Sequence, residues 1–308
     1  MDGHIYGSCE VFYGGKPVFP GDPNDVVKYI NGEPIDYYEF SGWSENINEP
    51  VTGLTFIIAQ FTFNGYIEDS WEQIINACRA GNIEKYGLGA RKKLAFNYKG
   101  SDVEVEMEIV GINHDKLATV NADYNNGADT AALTFLTYVM IPEVTNVNSS
   151  SKSWSGESTE SHRAGGGWEL SDLRAEFNGA LLNAIDETGI LQAGIKPVIK
   201  YSDHGYYHQD EEVTTVDSLW APSTSELNYE ASSMVTDNQG KPYVLYTDAL
   251  SRRKQIKDAK GNLVYAAYWT RSSYAISHQW YFVPATGMPA SMNAGNGQTC
   301  YICFGFCL

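Results

Sequence analysis

Three groups of residues have types and spacings that could do chemistry. The first is the terminal stretch CYICFGFCL, with Cys300, Cys303 and Cys307. A CxxC pair suggests zinc, but a structural zinc takes four ligands, usually with a second pair, and no second pair exists here. On an extended strand Cys300 and Cys303 face opposite ways, so the stretch reads as a terminal strand with buried thiols. Cys9 and Cys78 bring the count to five, and an odd count argues against a complete disulfide framework. The second group is His204-Gly205-Tyr206-Tyr207-His208 with Asp210, Glu211 and Glu212. These are metal-ligand types, but no helix fixes the two imidazoles, and the segment reads as a solvated loop. The third is Glu104, Glu106 and Glu108, alternating with Val103, Val105, Met107 and Ile109. That pattern predicts a half-buried strand whose acidic face is wet. No G-x-S-x-G, HExxH or P-loop occurs, so no catalytic residue and no enzyme activity is expected.

Composition narrows the class further. The 308 residues suit two domains, and 43% hydrophobic content suffices for a core. The net charge is −17 with no basic run, which disfavours nucleic acid, whose phosphates need clustered Lys and Arg. No apolar run reaches bilayer length, so no membrane insertion is expected. MDGHIYGSCEVFYGG lacks the charged and apolar regions of a signal peptide. The 21 tyrosines fit either a β-rich fold or a recognition surface.

The elements that must position these residues follow from periodicity and punctuation. Val11–Tyr13 and Thr55–Phe63 predict strands in a small β unit over residues 1–67. A helix is predicted from Ser70, with Gln73 completing a capping box. Trp71, Ile74, Ile75 and Cys78 share one of its faces, and Gly81 ends it. Residues 146–167 read as a loop. A second helix runs from Ser171 to Gly189, with Leu173, Phe177, Leu181 and Ile185 on its buried stripe. Val198–Tyr201 is a short strand, and GMPASMNAGNG (287–297) reads as a surface loop.

Several motifs, taken in order, resemble one family. They are Ser70-Trp71-Glu72-Gln73-Ile74, then Ala164-Gly165-Gly166-Gly167-Trp168-Glu169-Leu170-Ser171, then Ile195-Lys196-Pro197-Val198-Ile199-Lys200. Asp217-Ser218-Leu219-Trp220-Ala221-Pro222-Ser223, Tyr268-Trp269-Thr270-Arg271-Ser272-Ser273 and Phe304-Gly305-Phe306-Cys307-Leu308 complete the set. Together they resemble the variable proteins of diversity-generating retroelements, found at the C-termini of gut-phage tail and bacterial surface proteins. The resemblance implies an α+β domain of C-type-lectin-like fold, in its formylglycine-generating-enzyme variety, over residues 68–308. The aromatic-Gly-Trp element Phe40-Ser41-Gly42-Trp43 before Ala59-Gln60-Phe61 resembles β-grasp or immunoglobulin-like spacer repeats.

The resemblance also implies a function. In such proteins a variable region, here about residues 269–302, holds diversified side chains on one face against a partner. The framework implied is Trp269, Arg271, Ser272, Phe282, Val283 and Gly287, then Ile302–Leu308. The implied ligand-binding positions are Tyr274, Ile276, His278, Trp280, Tyr281, Pro284, Met288, Ala290, Met292, Asn293, Asn296 and Gln298. Trp280, Met288, Met292 and Gln298 do not arise from an Asn codon altered at its adenines, so they are fixed or come from other template codons. The family's Arg-Pro pair before the last strand residues is here Cys303-Phe304. The partner implied is a bacterial surface receptor, the setting a phage virion with a homotrimer allowed, and the alternative a bacterial adhesin. A distant alternative is a copper or thiol enzyme using Cys303 and Cys307. No Lys or Arg follows Arg271 to depress a thiol there. No cofactor is expected. Structural calcium is compatible with acidic positions such as Asp123, Asp129 or Asp210–Glu212, without a defined site.

Overall fold

A computed structural model describes residues 11, 13–18, 26–30, 33–34, 37–53, 55–149, 167–185, 189–203, 212–229, 239–274, 279–294 and 300–308. The chain divides into two compact units, Met1–Tyr66 and Ile67–Leu308. Among the described residues no helix is long and apolar enough to cross a membrane.

In the first unit β1 (Tyr29–Ile30) pairs with β2 (Glu33–Pro34), and β3 (Tyr38–Trp43) with β4 (Ala59–Phe63). The second strand is shorter than the predicted Thr55–Phe63, and residues 11 and 13 lie outside any strand. The aromatic-Gly-Trp element pairs directly with Ala59-Gln60-Phe61. Trp43 lies opposite Ala59 and Phe40 opposite Phe61, with a register shift at Gly42. Phe40 contacts both Trp43 and Phe61 edge-on. The Phe40–Phe61 contact is a cross-strand aromatic pair of the kind that stabilises a two-stranded ribbon.

The second unit is α+β and mostly β. Helix α1 (Trp71–Ala80) has the expected capping box, in which Ser70 Oγ accepts from Gln73 N and Gln73 Oε1 accepts from Ser70 N. Ile74, Ile75 and Cys78 are buried on its inner face. Replacing Ser70 with Ala removes a helix-end partner and is expected to cost about 1 kcal/mol. Thermal unfolding followed by circular dichroism should show a fall of roughly 2–4 °C. An unchanged midpoint contradicts the cap assignment.

A ten-stranded mixed sheet forms the body. Its strands are β5 (Arg91–Tyr98), β6 (Ser101–Ile112), β7 (Leu133–Val139), β8 (Ile141–Val144), β11 (Lys254–Lys257), β12 (Leu263–Ser273), β13 (Gln279–Val283), β14 (Ala290–Asn293), β15 (Cys300–Ile302) and β16 (Gly305–Cys307). The main path runs β14-β13-β12-β11-β7-β6-β5, with β15 joining β12 to β8 and β16 on β7. Strands β9 (Val198–Asp203) and β10 (Glu212–Asp217) form a separate antiparallel pair.

Two expectations change here. The acidic face of β6 is covered. Glu106 and Glu108 are buried, and Arg91 lies 3.8 and 3.4 Å from them. Lys254 stands 3.9 Å from Glu108. The reason is that β6 sits inside the sheet, and cations on β5 and β11 close over its carboxylates. Only Glu104 remains near solvent, paired with Lys93 and Lys257. The second helix is also less regular than its stripe implies. It starts at Ser171, whose Oγ accepts from Arg174 N, and runs as α2 (Asp172–Glu176). It then widens into a π turn over Phe177–Leu181 and closes with Leu182–Ala184. Leu173, Phe177, Leu181 and Ile185 are nonetheless all buried. A short helix, α3 (Ile190–Gly194), follows.

The motifs turn out to be the joints of this body. The Trp168 indole donates to Asp217 Oδ2 at 2.8 Å, and Arg174 Nε donates to Asp217 Oδ1 at 2.7 Å. One fully buried aspartate thus ties the Gly-Trp turn, α2 and the end of β10 together. Trp220 and Gly305 exchange backbone hydrogen bonds. A side chain at Gly305 would stand 2.8 Å from Phe135 O and 3.2 Å from the Trp220 ring, so only glycine lets these segments touch. Phe306 stacks on Phe135, and Trp71 packs edge-on against both.

Candidate functional site

WTRSS is a buried, hydrogen-bonded frame. The Trp269 indole donates to Thr145 O at 2.8 Å, and Thr270 Oγ1 donates to Tyr281 O at 2.8 Å. Ser272 Oγ accepts from Thr224 N and donates to Gln239 Oε1. The Arg271 guanidinium donates to the carbonyls of Tyr201, Ala221 and Gln239 and to the Glu226 carboxylate. The ladder explains how Arg271 reaches them. Trp269 faces Phe282, but Ser273 faces Trp280, so the β12–β13 register slips by two residues. Within the slip Arg271 N bonds to Pro222 O instead of β13. A bulge of this kind re-aims side chains out of the ladder.

Beside that frame, β13 and β14 pair with Gln279 opposite Asn293, Trp280 opposite Met292, Tyr281 opposite Ser291 and Phe282 opposite Ala290. Among the described residues strand β14 is the sheet edge. The expected display of Trp280 and Tyr281 is corrected. They are 0% and 4% exposed, whereas Phe282 next to them, expected as an anchor, is half-buried. The physical reason is position: β13 lies between two strands, and both of its faces are covered near the slip. Val283 is buried as expected of framework, and so is Gly287. Gly287 has φ +83°, and a side chain there would collide with the Ala249 carbonyl. The loop predicted over 287–297 contains β14, and Ala294 beyond it is buried.

The implied binding positions at the surface are Met288 and Ala290, which are exposed, and Tyr274, Pro284, Met292 and Asn293, which are half-buried. Tyr274 N donates to Gln279 O, and its ring meets Tyr281 edge-on at 5.1 Å. Gln279 and Ser291, which hydrogen-bond each other at 3.0 Å, share the Asn293 face and were not anticipated. Strand register is the signal that places them, and it is not visible in residue types alone. Ile276, His278, Asn296 and Gln298 lie outside the described residues, as does His204–Glu211.

A second polar assembly lies behind the frame. Lys200 Nζ donates to Asp115 Oδ1 at 2.5 Å and to Glu226 Oε1 at 2.9 Å, while Arg271 holds Glu226 Oε2. The Tyr243 hydroxyl donates to Asp115 Oδ2 at 3.1 Å, and Thr134 Oγ1 donates to the same oxygen at 2.6 Å. All of these residues are buried. Burial alone would raise the Asp115 pKa, but the Lys200 charge, helped by His114, outweighs it and holds the carboxyl well below the usual range. Burial would likewise raise Glu226, and Arg271 and Lys200 bring it below its ordinary value. These charges are scattered over more than 150 positions of sequence. The one local hint was Lys200 sharing the inward parity of Val198 on an apolar strand.

The cysteines are not arranged as reactive groups. Burial pushes the Cys303 and Cys307 thiols above their ordinary value, and Cys78 up to about 12. Thr137 and Thr134 hydroxyls lie against Cys303 and Cys307. Among the described residues no group of three or more His, Cys, Asp or Glu is placed to hold a metal ion. The fold and site therefore define an α+β, mostly β domain in which a rigid polar frame carries a sheet-edge surface. Residues 139–300, from the end of β7 to the start of β15, match a family described as a domain of unknown function (DUF6273), and the chain belongs to it. No curated protein and no solved structure matches the chain.

Proposed function

We propose that residues 67–308 form a C-type-lectin-like ligand-binding domain that presents a variable surface to a bacterial receptor. The observation that carries this reading is the adjacency of two unlike regions. Every described side chain of Trp269–Ser273 is buried, and those of Trp269, Thr270, Arg271 and Ser272 hydrogen-bond to other segments, while the next strands leave Tyr274, Gln279, Met288, Ser291, Met292 and Asn293 within reach of solvent. A rigid base under an accessible surface of mixed Tyr, Met and amide groups suits recognition, because little ordering entropy is spent on binding. The setting proposed is a phage tail fibre, with a bacterial surface adhesin as the alternative.

Two experiments test the reading. Among natural isolates, substitutions should concentrate between residues 274 and 298 beside a template repeat and a reverse-transcriptase gene. Invariance across isolates defeats the diversification. Labelled full-length protein should bind cells of a susceptible bacterium, and Tyr274→Ala with Asn293→Ala should weaken binding about tenfold or more. The melting midpoint should be retained, since neither side chain is fully buried. Undiminished cell binding by a folded double variant removes this surface from the proposal.

A further inference from the structure

A cleft of about 370 Å³ opens beside the ion cluster, and none of the residues lining it belongs to β13 or β14. We propose that this cleft binds a small monoanionic polyol, that is, an acidic sugar unit with one carboxylate. Its volume lies within the range of about 300–1,000 Å³ typical of small-molecule sites.

The charges argue for an anion. The chain carries 38 acidic residues against 21 basic ones, so an unpaired cation stands out. Lys116 and Lys241 both line this cleft, both are exposed, and neither has an acidic partner among the described residues. Two lysines lining one cavity favour an anionic ligand such as a carboxylate. Glu212 also lines the cleft and works against a dianion. A phosphate monoester, at about −1.5 to −2 charge near neutral pH, is therefore the poorer fit.

The floor argues for hydroxyl groups. Asp115 and Glu226 line the cleft, but Lys200 and Arg271 already balance their charges. The cluster is neutral as a whole, so it holds no net negative charge to draw a metal ion or an ammonium group. What Glu226, Glu212 and the Gly240 backbone offer a ligand is oxygen acceptors, which neutral hydroxyls satisfy. Tyr201 and His114 also line the cleft, and aromatic rings suit the C–H face of a sugar. The His114 ring is itself held against Tyr243, tilted at 40° with ring centroids 4.6 Å apart.

Calorimetric titration of the full chain with D-glucuronate at low salt tests this, with D-glucose and inorganic phosphate as comparators. Glucuronate should saturate, at least about tenfold more tightly than either comparator. Lys116→Gln with Lys241→Gln should weaken it about tenfold or more without moving the melting midpoint, because both side chains are exposed. Tyr274→Ala with Asn293→Ala should leave the titration unchanged, which separates this cleft from the receptor surface. Equal affinity for glucose, absence of saturation by about 10 mM, or an unaffected double-lysine variant overturns the proposal. So does loss of glucuronate binding in the Tyr274/Asn293 variant.

Discussion

Replacing Arg271 with Met should lower the unfolding free energy of the Ile67–Leu308 unit by about 3–5 kcal/mol, the cost of stranding one member of a buried ion pair. Arg271 is 0% exposed and donates to one carboxylate and three carbonyls. Methionine fills part of the volume but none of those bonds, and Glu226 is left with Lys200 as its remaining cation. A loss of this size corresponds to roughly 6–20 °C in the melting midpoint. Tryptophan fluorescence reports it well, because only Trp43 lies outside this unit. Adding Glu226→Gln removes the stranded charge and should restore part of the loss, as expected for residues coupled in one network. A shift of under about 2 °C in the single variant means that Arg271 does not hold this frame.

The same cluster sets the response to acid. Asp115 and Glu226 both ionise at lower pH in the folded chain than unfolded, where such groups titrate near about 4. The folded state therefore binds fewer protons than the unfolded state in acid. Stability from these carboxylates is fully present above the unfolded value. It is lost as pH falls through the lower folded values. Each carboxyl contributes a slope of about 1.4 kcal/mol per pH unit inside that window. Urea unfolding at pH 6, 4 and 3 should show a steep fall below pH 4, and Asp115→Asn should flatten the slope by about one proton. Added salt should change little, because the pair is shielded from solvent ions. Equal unfolding free energies at pH 6 and pH 3 contradict this account.

Sequence legibility was uneven, and the pattern has a cause. Ser70, Gln73 and Gly81 announced α1 because capping is a contract among residues a few positions apart. The stripe from Leu173 to Ile185 announced its buried face for the same reason, although not the π turn within it. Glu106 and Glu108 misled, since their covering cations come from β5 and β11, the latter about 150 residues away. Trp280 and Tyr281 misled because exposure on a strand depends on its neighbours in the sheet, not on its own alternation.

What the sequence determined by itself is mostly local: the capped helix, the apolar strands and the acidic charge of the chain. What only the tertiary structure decided is which side chains meet. Asp115, Lys200, Glu226 and Arg271 form one neutral cluster only when four distant segments pack together. The slip between Trp269 and Ser273 turns Arg271 inward and leaves Trp280 buried beside it. Side-chain direction over short spans follows from backbone period, whereas ion pairing and burial follow from proximity in space, which no local pattern encodes.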